Sequence, residues 1–326
     1  MKPKILVTRA VFPEVIERLS QHFEVESNQP DETFDEAELI RRLQGKAGVF
    51  SNPTDRLSAS VIQSVPGLKA ICNMAVGYNN IDVPAATAAG VMVTNTPDVL
   101  NETTADLGWA LLMAAARRIT ESEHSLRAGE WKKWTYDGYM GNDVHGSTVG
   151  IIGMGRIGQA VARRSMGFNM KVIYNNRSRL SPELEAKANN AQYVSREELL
   201  RTADHIVLVL PYSAESHHTI GEKELAMMKP TATLVNIARG GIVDDAALIR
   251  ALKAGQIGSA GIDVFENEPQ FNPGFLELKN VALTPHIGSA SLNTRMAMAN
   301  TAAGNLIAAL SGQTPPNLLN PQVLQK

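Results

Sequence analysis

The sequence has few of the features that mark secreted or nucleic-acid-binding proteins. Its 326 residues include a single cysteine, Cys72, which cannot form an internal disulfide or a Cys-rich metal site, so we expect a buried free thiol. The 31 basic and 33 acidic residues nearly cancel, for a formal charge of -2. Because neither sign forms a long run, nucleic acid is not expected as a partner.

Long apolar segments are also missing. The longest one, residues 107–116, stops at Arg117 and Arg118 and has about half the length of a membrane span. The start of the chain has too few consecutive apolar residues for a signal-peptide core. We therefore expect no membrane partner and a cytoplasmic location.

The chain does contain a regular alternation of short β-branched runs and amphipathic helical stretches. This order is typical of parallel sheets covered by helices on both faces, which is an α/β fold. Strands are predicted at residues 4–8, 47–51, 70–73, 91–94, 148–152, 171–174, 205–210, 233–236, 259–263 and 281–284.

Two polar segments, residues 95–105 and 285–294, precede long helical stretches, the second running from Arg295 to about Leu310. The length of the chain allows two domains. We therefore predict a middle domain, residues 101–286, inserted into a discontinuous domain of residues 1–100 and 287–326.

A glycine motif follows the predicted strand at 148–152 and precedes a helical run at 159–165. Gly153 permits a tight turn, Gly155 lets the backbone approach a pyrophosphate, and Gly158 lets the helix pack closely on the strand. Arg156 and Ile157 complete the turn at the helix start, where N–H groups bind anions. This order predicts a Rossmann dinucleotide site.

The segment after the next strand predicts the cofactor type. An Asp or Glu here would bind the ribose hydroxyls of NAD, but the residues present are Asn175, Asn176, Arg177, Ser178 and Arg179. Two guanidinium groups and a hydroxyl suit the 2′-phosphate of NADPH. The prediction is NADPH/NADP⁺, with NADH as the weaker cofactor; the alternative is a solvated basic loop.

Three polar side chains follow predicted strands of the same domain, where ligands bind such sheets. We interpret His286 as a general acid, Glu268 as its partner, and Arg239 as the clamp for a carboxylate and carbonyl. The alternatives are a structural histidine, a solvated acid and a surface arginine. His205, His217 and His218 are interpreted as structural, and no catalytic metal is expected.

Four motifs, at residues 153–158, 236–241, 261–269 and 284–289, resemble the D-isomer-specific 2-hydroxyacid dehydrogenases over essentially the whole chain. The resemblance is strongest to bacterial glyoxylate/hydroxypyruvate reductases that also reduce 2-ketogluconate. It implies a Rossmann cofactor domain inserted into a discontinuous flavodoxin-like substrate domain. It also implies NADPH-dependent reduction of small 2-keto acids to D-2-hydroxy acids.

The resemblance implies individual site residues as well. Backbone N–H groups around Val76 and Gly77 hold the substrate carboxylate, with Arg239 and His286 as further substrate contacts. Asp263 and Thr104 lie near the nicotinamide. The remaining implied cofactor contacts are Pro211, Ile237, Ala238 and Gly288.

Members of this family are usually homodimers joined through the cofactor domain, which implies the same partner here. The arm before the glycine motif would include Trp131, Trp134 and Tyr136, with Trp134 reaching the partner's active site. Two other readings stay open. One is a D-lactate or phosphoglycerate dehydrogenase, and the other is a dinucleotide-sensing protein similar to corepressors.

Overall fold

Two parallel sheets organise the chain, and the computed structural model describes residues 1–325. Residues 1–100 and 291–326 form one unit, called here the split domain, and residues 101–290 form the other, the middle domain. The second boundary was predicted four residues earlier, between 286 and 287. The chain enters the split domain where the Ser291 hydroxyl accepts a hydrogen bond from the Thr294 N–H and caps a helix.

The split domain has five parallel strands in the order β2-β1-β3-β4-β5, the flavodoxin-like order. Its strands are β1 Lys4–Val7, β2 Glu24–Ser27, β3 Gly48–Ser51, β4 Ala70–Asn73 and β5 Met92–Thr94. Its helices are α1 Pro13–His22, α2 Glu36–Leu43, α3 Ala59–Gln63, α4 Val83–Ala88 and α12 Leu292–Leu310.

The middle domain has seven parallel strands in the order β12-β11-β10-β9-β6-β7-β8, the doubly wound Rossmann order with an added strand. The strands are β6 Thr148–Ile152, β7 Lys171–Asn175, β8 Gln192–Tyr193, β9 His205–Leu208, β10 Thr233–Asn236, β11 Ser259–Ile262 and β12 Val281–Leu283. The helices are α5 Asn101–Ala116, α6 Ile119–Arg127, α7 Arg156–Arg164, α8 Pro182–Lys187, α9 Arg196–Thr202, α10 Glu222–Leu225 and α11 Asp245–Lys253.

Each sheet has an apolar core on both faces, because successive strand side chains point to opposite sides. In β9, Ile206 and Leu208 join one buried cluster and Val207 joins the other. In β1, Leu6 belongs to one buried cluster of the split domain, and Ile5 and Val7 belong to the cluster on the opposite face. The polar residues that could carry chemistry therefore lie at the ends of the strands.

All the predicted strands are present within two residues of their predicted ends. Two strands were missed, β2 and β8, and both are edge strands with largely solvent-accessible side chains. Edge strands need no apolar run on both faces, so the pattern used to find the others does not detect them.

Cys72 is a buried free thiol, as predicted, and burial raises its pKa to about 12. Among residues 1–325, no helix combines the length and apolar character needed to cross a bilayer.

Candidate active site

The three predicted catalytic residues follow adjacent strands of the middle domain. Arg239 lies after β10, Glu268 after β11 and His286 after β12, and these strands are neighbours in the sheet. Because parallel strands end at the same edge, their exit loops converge there. The fold therefore brings together side chains that are 47 positions apart in the sequence, from 239 to 286.

His286 and Glu268 form a hydrogen-bonded pair, with 2.7 Å between His286 Nδ1 and Glu268 Oε2. The other Glu268 oxygen, Oε1, accepts from the Phe265 N–H at 2.7 Å. His286 has a positive φ of 54°, and its N–H donates to the Asp263 carbonyl at 2.9 Å. Both ends of the pair are thus fixed to the backbone that leaves β11.

The environment keeps Glu268 ionised. Burial raises the pKa of Glu268, but the hydrogen bond and charge of His286, the Phe265 N–H and the charge of Arg239 hold it below its ordinary value overall. A carboxylate at this position orients the imidazole through its hydrogen bond to Nδ1.

Asp263 anchors the loop that carries His286. Its carboxylate accepts from the Thr284 hydroxyl at 2.7 Å, the Ile287 N–H at 2.8 Å and the Gly288 N–H at 2.9 Å. Burial nevertheless raises the pKa of Asp263 above its ordinary value. A Cβ on Gly288 would lie 3.2 Å from this carboxylate and 3.4 Å from Thr104 Cγ2, so these three implied cofactor contacts are close together.

Arg239 is half-buried, and its Nη1 donates to the Ala238 carbonyl at 2.8 Å. Burial lowers the pKa of Arg239, while the charges of Glu268 and Asp263 raise it. The ordinary pKa of arginine is so high that the guanidinium stays charged. Asn236, at the end of β10, holds this loop, because its side chain accepts from the Ala238 N–H and donates to the Arg239 carbonyl.

The glycine loop between β6 and α7 has the shape that a pyrophosphate requires. Gly153 has φ +102°, and a Cβ there would lie 2.7 Å from the Leu210 N. A Cβ on Gly158 would lie 2.3 Å from the Gly153 carbonyl, whereas a Cβ on Gly155 would meet no atom within 4 Å. Gly155 is the N-cap residue of α7 and has no side chain to cap the helix. Arg156 and Ile157 open its first turn, so the cradle fits a dinucleotide.

In the segment after β7, some side chains are held by hydrogen bonds within the protein, and others are exposed and could bind a ligand. The Asn176 side chain accepts from the Met154 N–H of the glycine loop at 2.7 Å. Arg179 forms two hydrogen bonds with Glu185, at 2.8 and 2.9 Å, and Glu185 also accepts from the Tyr174 hydroxyl. Arg177 and Ser178 are exposed beside them. A phosphate-binding role therefore rests first on Arg177 and Ser178.

The other implied cofactor contacts also lie at this edge of the sheet. Ile237 and Ala238 are buried directly after β10. Pro211 lies in the loop after β9, where its carbonyl accepts from the Ser216 hydroxyl.

The implied substrate loop, around Val76 and Gly77, follows β4 in the split domain. Asn95 Nδ2 donates to the Val76 carbonyl at 2.8 Å, and Asn73 Nδ2 donates to the Gly77 carbonyl at 2.9 Å. Among the residues described, the Val76 and Gly77 N–H groups donate no backbone hydrogen bond. The implied substrate loop, residues 73–80, begins with Asn73, but the sequence did not predict that Asn73 and Asn95 hold the loop through these two hydrogen bonds.

Trp134 and Trp131 lie between α6 and β6, in a segment with no helix or strand. Trp134 is 75% exposed and Trp131 is 59% exposed, with Tyr136 at 88%. The predicted arm therefore presents a large aromatic surface, of the kind that occurs at protein interfaces.

The three histidines that we interpreted as structural have contacts within the middle domain. His205 is buried, and its Nε2 lies 3.2 Å from the Asp143 carbonyl. His217 contacts the Tyr212 hydroxyl, and His218 Nε2 lies 2.8 Å from Glu266 Oε1. His217, His218 and Glu266 are also the one group in residues 1–325 with metal-ligand geometry, their ligand atoms lying within 4.8 Å of one another. The expectation that catalysis needs no metal stays a prediction.

Comparisons with known proteins extend over the whole chain. Residues 109–288 match the family model for the D-isomer specific 2-hydroxyacid dehydrogenase NAD binding domain. Glyoxylate reductase from Thermococcus onnurineus is 47% identical over 328 residues, which cover 99% of this chain and 98% of the relative.

Two solved structures share the fold. A glyoxylate reductase from Paecilomyes thermophila has a TM-score of 0.88 and 36% identity, covering 98% of this chain and 99% of its own. The NADPH-dependent glyoxylate/hydroxypyruvate reductase from Sinorhizobium meliloti, in complex with NADP and malonate, has a TM-score of 0.87 and 32% identity, covering 99% and 98%. The chain therefore belongs to the D-isomer-specific 2-hydroxyacid dehydrogenase family.

Proposed function

We propose that this protein reduces glyoxylate and related small 2-keto acids, including hydroxypyruvate and 2-ketogluconate, to D-2-hydroxy acids with NADPH. The observation that carries the proposal is the His286–Glu268 pair beside Arg239, in a chain similar over its full length to glyoxylate reductases. A proton donor and a fixed cation are the two groups that hydride addition to a 2-keto acid requires.

A bound nicotinamide supplies the hydride, and the side chains of this chain manage the proton and the charge. Because Glu268 engages His286 Nδ1, Nε2 is the nitrogen left to donate a proton to the ketone oxygen. The Arg239 guanidinium pairs with the substrate carboxylate and polarises the carbonyl. The Val76 and Gly77 N–H groups are the proposed second contacts of the carboxylate.

NADPH is proposed over NADH because no acid follows β7. A carboxylate at this position would repel a 2′-phosphate, whereas Arg177 attracts one. Arg179 is held by Glu185, so we assign it the smaller share of the preference. The Sinorhizobium relative that binds NADP supports the same choice.

A steady-state comparison of both cofactors tests the proposal directly. Glyoxylate, hydroxypyruvate, 2-ketogluconate, pyruvate and phosphohydroxypyruvate are each assayed with NADPH and with NADH. The wild type should favour NADPH by about tenfold or more in kcat/KM, and Arg177→Ala should narrow the gap by about tenfold.

Arg179→Ala is the matched control, since it removes an equal charge two positions away. It should change the ratio of kcat/KM with NADPH to kcat/KM with NADH less than Arg177→Ala does. Equal use of both cofactors by the wild type would refute the NADPH assignment. Highest kcat/KM on pyruvate or phosphohydroxypyruvate would favour a lactate-type or phosphoglycerate-type enzyme. Negligible turnover of every substrate would favour a dinucleotide sensor.

We also propose a homodimer formed through the middle domain, with the aromatic arm at the interface. Exposed tryptophans of this kind bury large apolar area when a second copy covers them. Light scattering should give twice the chain mass for the wild type, and Trp134→Ala should weaken self-association or alter substrate preference. If the variant changes neither, Trp134 has no interface role.

A further inference from the structure

The direction of the Glu268 carboxylate depends on the loop that carries it. This loop, residues 263–269, leaves β11 and has neither helical nor strand structure. One oxygen of Glu268 is tied to the Phe265 N–H and the other faces His286, each at 2.7 Å. A displacement of the Phe265 backbone would therefore move the carboxylate away from the imidazole.

Glu266, one residue after Phe265, is held by three contacts. Its N–H donates to Asp245 Oδ2 at 3.0 Å, and its Oε2 accepts from the Asp245 N–H at 3.3 Å. Its Oε1 lies 2.8 Å from His218 Nε2. The loop is thereby fastened both to the first residue of α11 and to the segment after β9.

The same stretch of backbone packs against the Arg239 loop. A Cβ added to Gly240 would lie only 1.7 Å from the Phe265 carbonyl oxygen and 2.9 Å from the Glu266 N. Glycine permits this close approach of two backbones. The loop that carries Arg239 and the loop that carries Glu268 are therefore in direct contact, at Gly240 on one side and at Phe265 and Glu266 on the other.

We propose that Glu266, held by Asp245 and His218, is a positioning residue. It keeps Glu268 hydrogen-bonded to His286, and it keeps the Arg239 loop packed against the loop that carries Glu268. Glu266 acts through the backbone and does not touch the reacting atoms. The inference rests on the proposed role of His286 and Glu268 in proton transfer. It gives a role to Glu266, Asp245 and His218, none of which was among the predicted catalytic, substrate or cofactor residues.

The contacts of Glu266 with Asp245 and His218 are called here the tether. The Glu266 carboxylate lies at the start of α11, beside His218. Burial raises the pKa of Asp245 to about 6, and the charges of Glu266 and Asp244 act in the same direction, while the hydrogen bond from the Glu266 N–H and the charge of His218 oppose them. The titratable groups around the tether are thus Asp244, Asp245, His217, His218 and Glu266.

Glu266→Ala in the full chain tests the proposal. It removes both side-chain contacts of the tether, so kcat for glyoxylate reduction with NADPH should fall about tenfold. The basic limb of the kcat/KM profile should move to lower pH, because a displaced Glu268 no longer favours a protonated His286. Glu266→Gln keeps an acceptor for the Asp245 N–H and should recover most of the loss. His218→Ala removes one contact and should give an intermediate shift.

Asp244→Ala is the matched control. Asp244 caps α11 by accepting from the Ala247 N–H at 2.9 Å but has no hydrogen bond to Glu266. Its loss should lower the melting temperature without moving the pH profile. A Glu266→Ala enzyme whose kcat and pH limb match those of Asp244→Ala would overturn the proposal. His286→Gln separates the two hypotheses: if it keeps wild-type turnover, the proposed function fails first.

Discussion

The two sheets of this protein carry different chemistry at their carboxyl ends. In the middle domain, the loops after β10, β11 and β12 present Arg239, Glu268 and His286. In the split domain, the loop after β4 is held by the neutral amides of Asn73 and Asn95, and it offers backbone N–H groups. Under the proposed mechanism, the first region transfers the proton and the second holds the substrate carboxylate without a side-chain charge.

This difference predicts separate kinetic consequences. Groups that act only as the proton moves change kcat, whereas groups that hold the substrate equally before and during reaction change KM. Amides do not titrate in the working range, so the split-domain contribution should be independent of pH. Substitutions in the two regions should therefore be distinguishable by which constant they alter.

The largest effect is expected for His286→Gln. Glutamine has a similar reach but delivers no proton near neutrality, so kcat for glyoxylate reduction should fall by about 10²–10⁴-fold. Fluorescence titration should show unchanged NADPH binding. Wild-type turnover by the His286→Gln variant would show that His286 does not supply the proton.

A smaller effect is expected for Glu268→Gln, which removes the negative charge and keeps the size. We expect kcat to fall by about 10- to 100-fold. We also expect the basic limb of the pH profile of kcat/KM for glyoxylate reduction to move to lower pH. In the wild type, the pKa of Glu268 is lowered from the ordinary value of 4.5, so this carboxylate stays ionised and paired with His286 at pH values somewhat below that value. The stability that this shift contributes should be lost only as the pH falls through the lower folded-state value, which acid unfolding of both proteins can measure.

The smallest effect is expected for Asn95→Ala in the split domain. It removes the hydrogen bond that fixes the Val76 carbonyl, a loss that should raise KM for glyoxylate about three- to tenfold. kcat and the pH profile should stay close to those of the wild type. Asn28→Ala is the control, because Asn28 binds the Thr8 and Glu32 carbonyls in the same domain. A fall in kcat without a change in KM would contradict the division of roles.

The sequence alone was sufficient to predict the architecture and to identify the charged side chains that follow the strand ends of the middle domain. Strands buried on both faces appear as apolar runs, and the motif around Gly153 and the exits at Arg239, Glu268 and His286 follow those runs directly. The edge strands β2 and β8 were missed because their exposed faces carry no such pattern.

The partners of these residues could not be predicted from spacing. Asn236 is adjacent in sequence to its loop, but the bonds of Glu266 to Asp245 and His218 join residues 21 and 48 positions apart. The engagement of Arg179 by Glu185 was missed for another reason. The sequence shows which charged side chains are present, whereas the packing of the fold decides which of them remain free to bind a ligand.

Asn176 has a consequence for how cofactor choice can change in this lineage. Its side-chain oxygen accepts a hydrogen bond from the Met154 N–H and so holds the glycine loop, and Asn176 lies directly after β7, where NAD-binding Rossmann domains carry an acid. Aspartate has the same reach and can accept the same hydrogen bond. A single exchange at this position would therefore add a ribose-binding charge and keep this hydrogen bond.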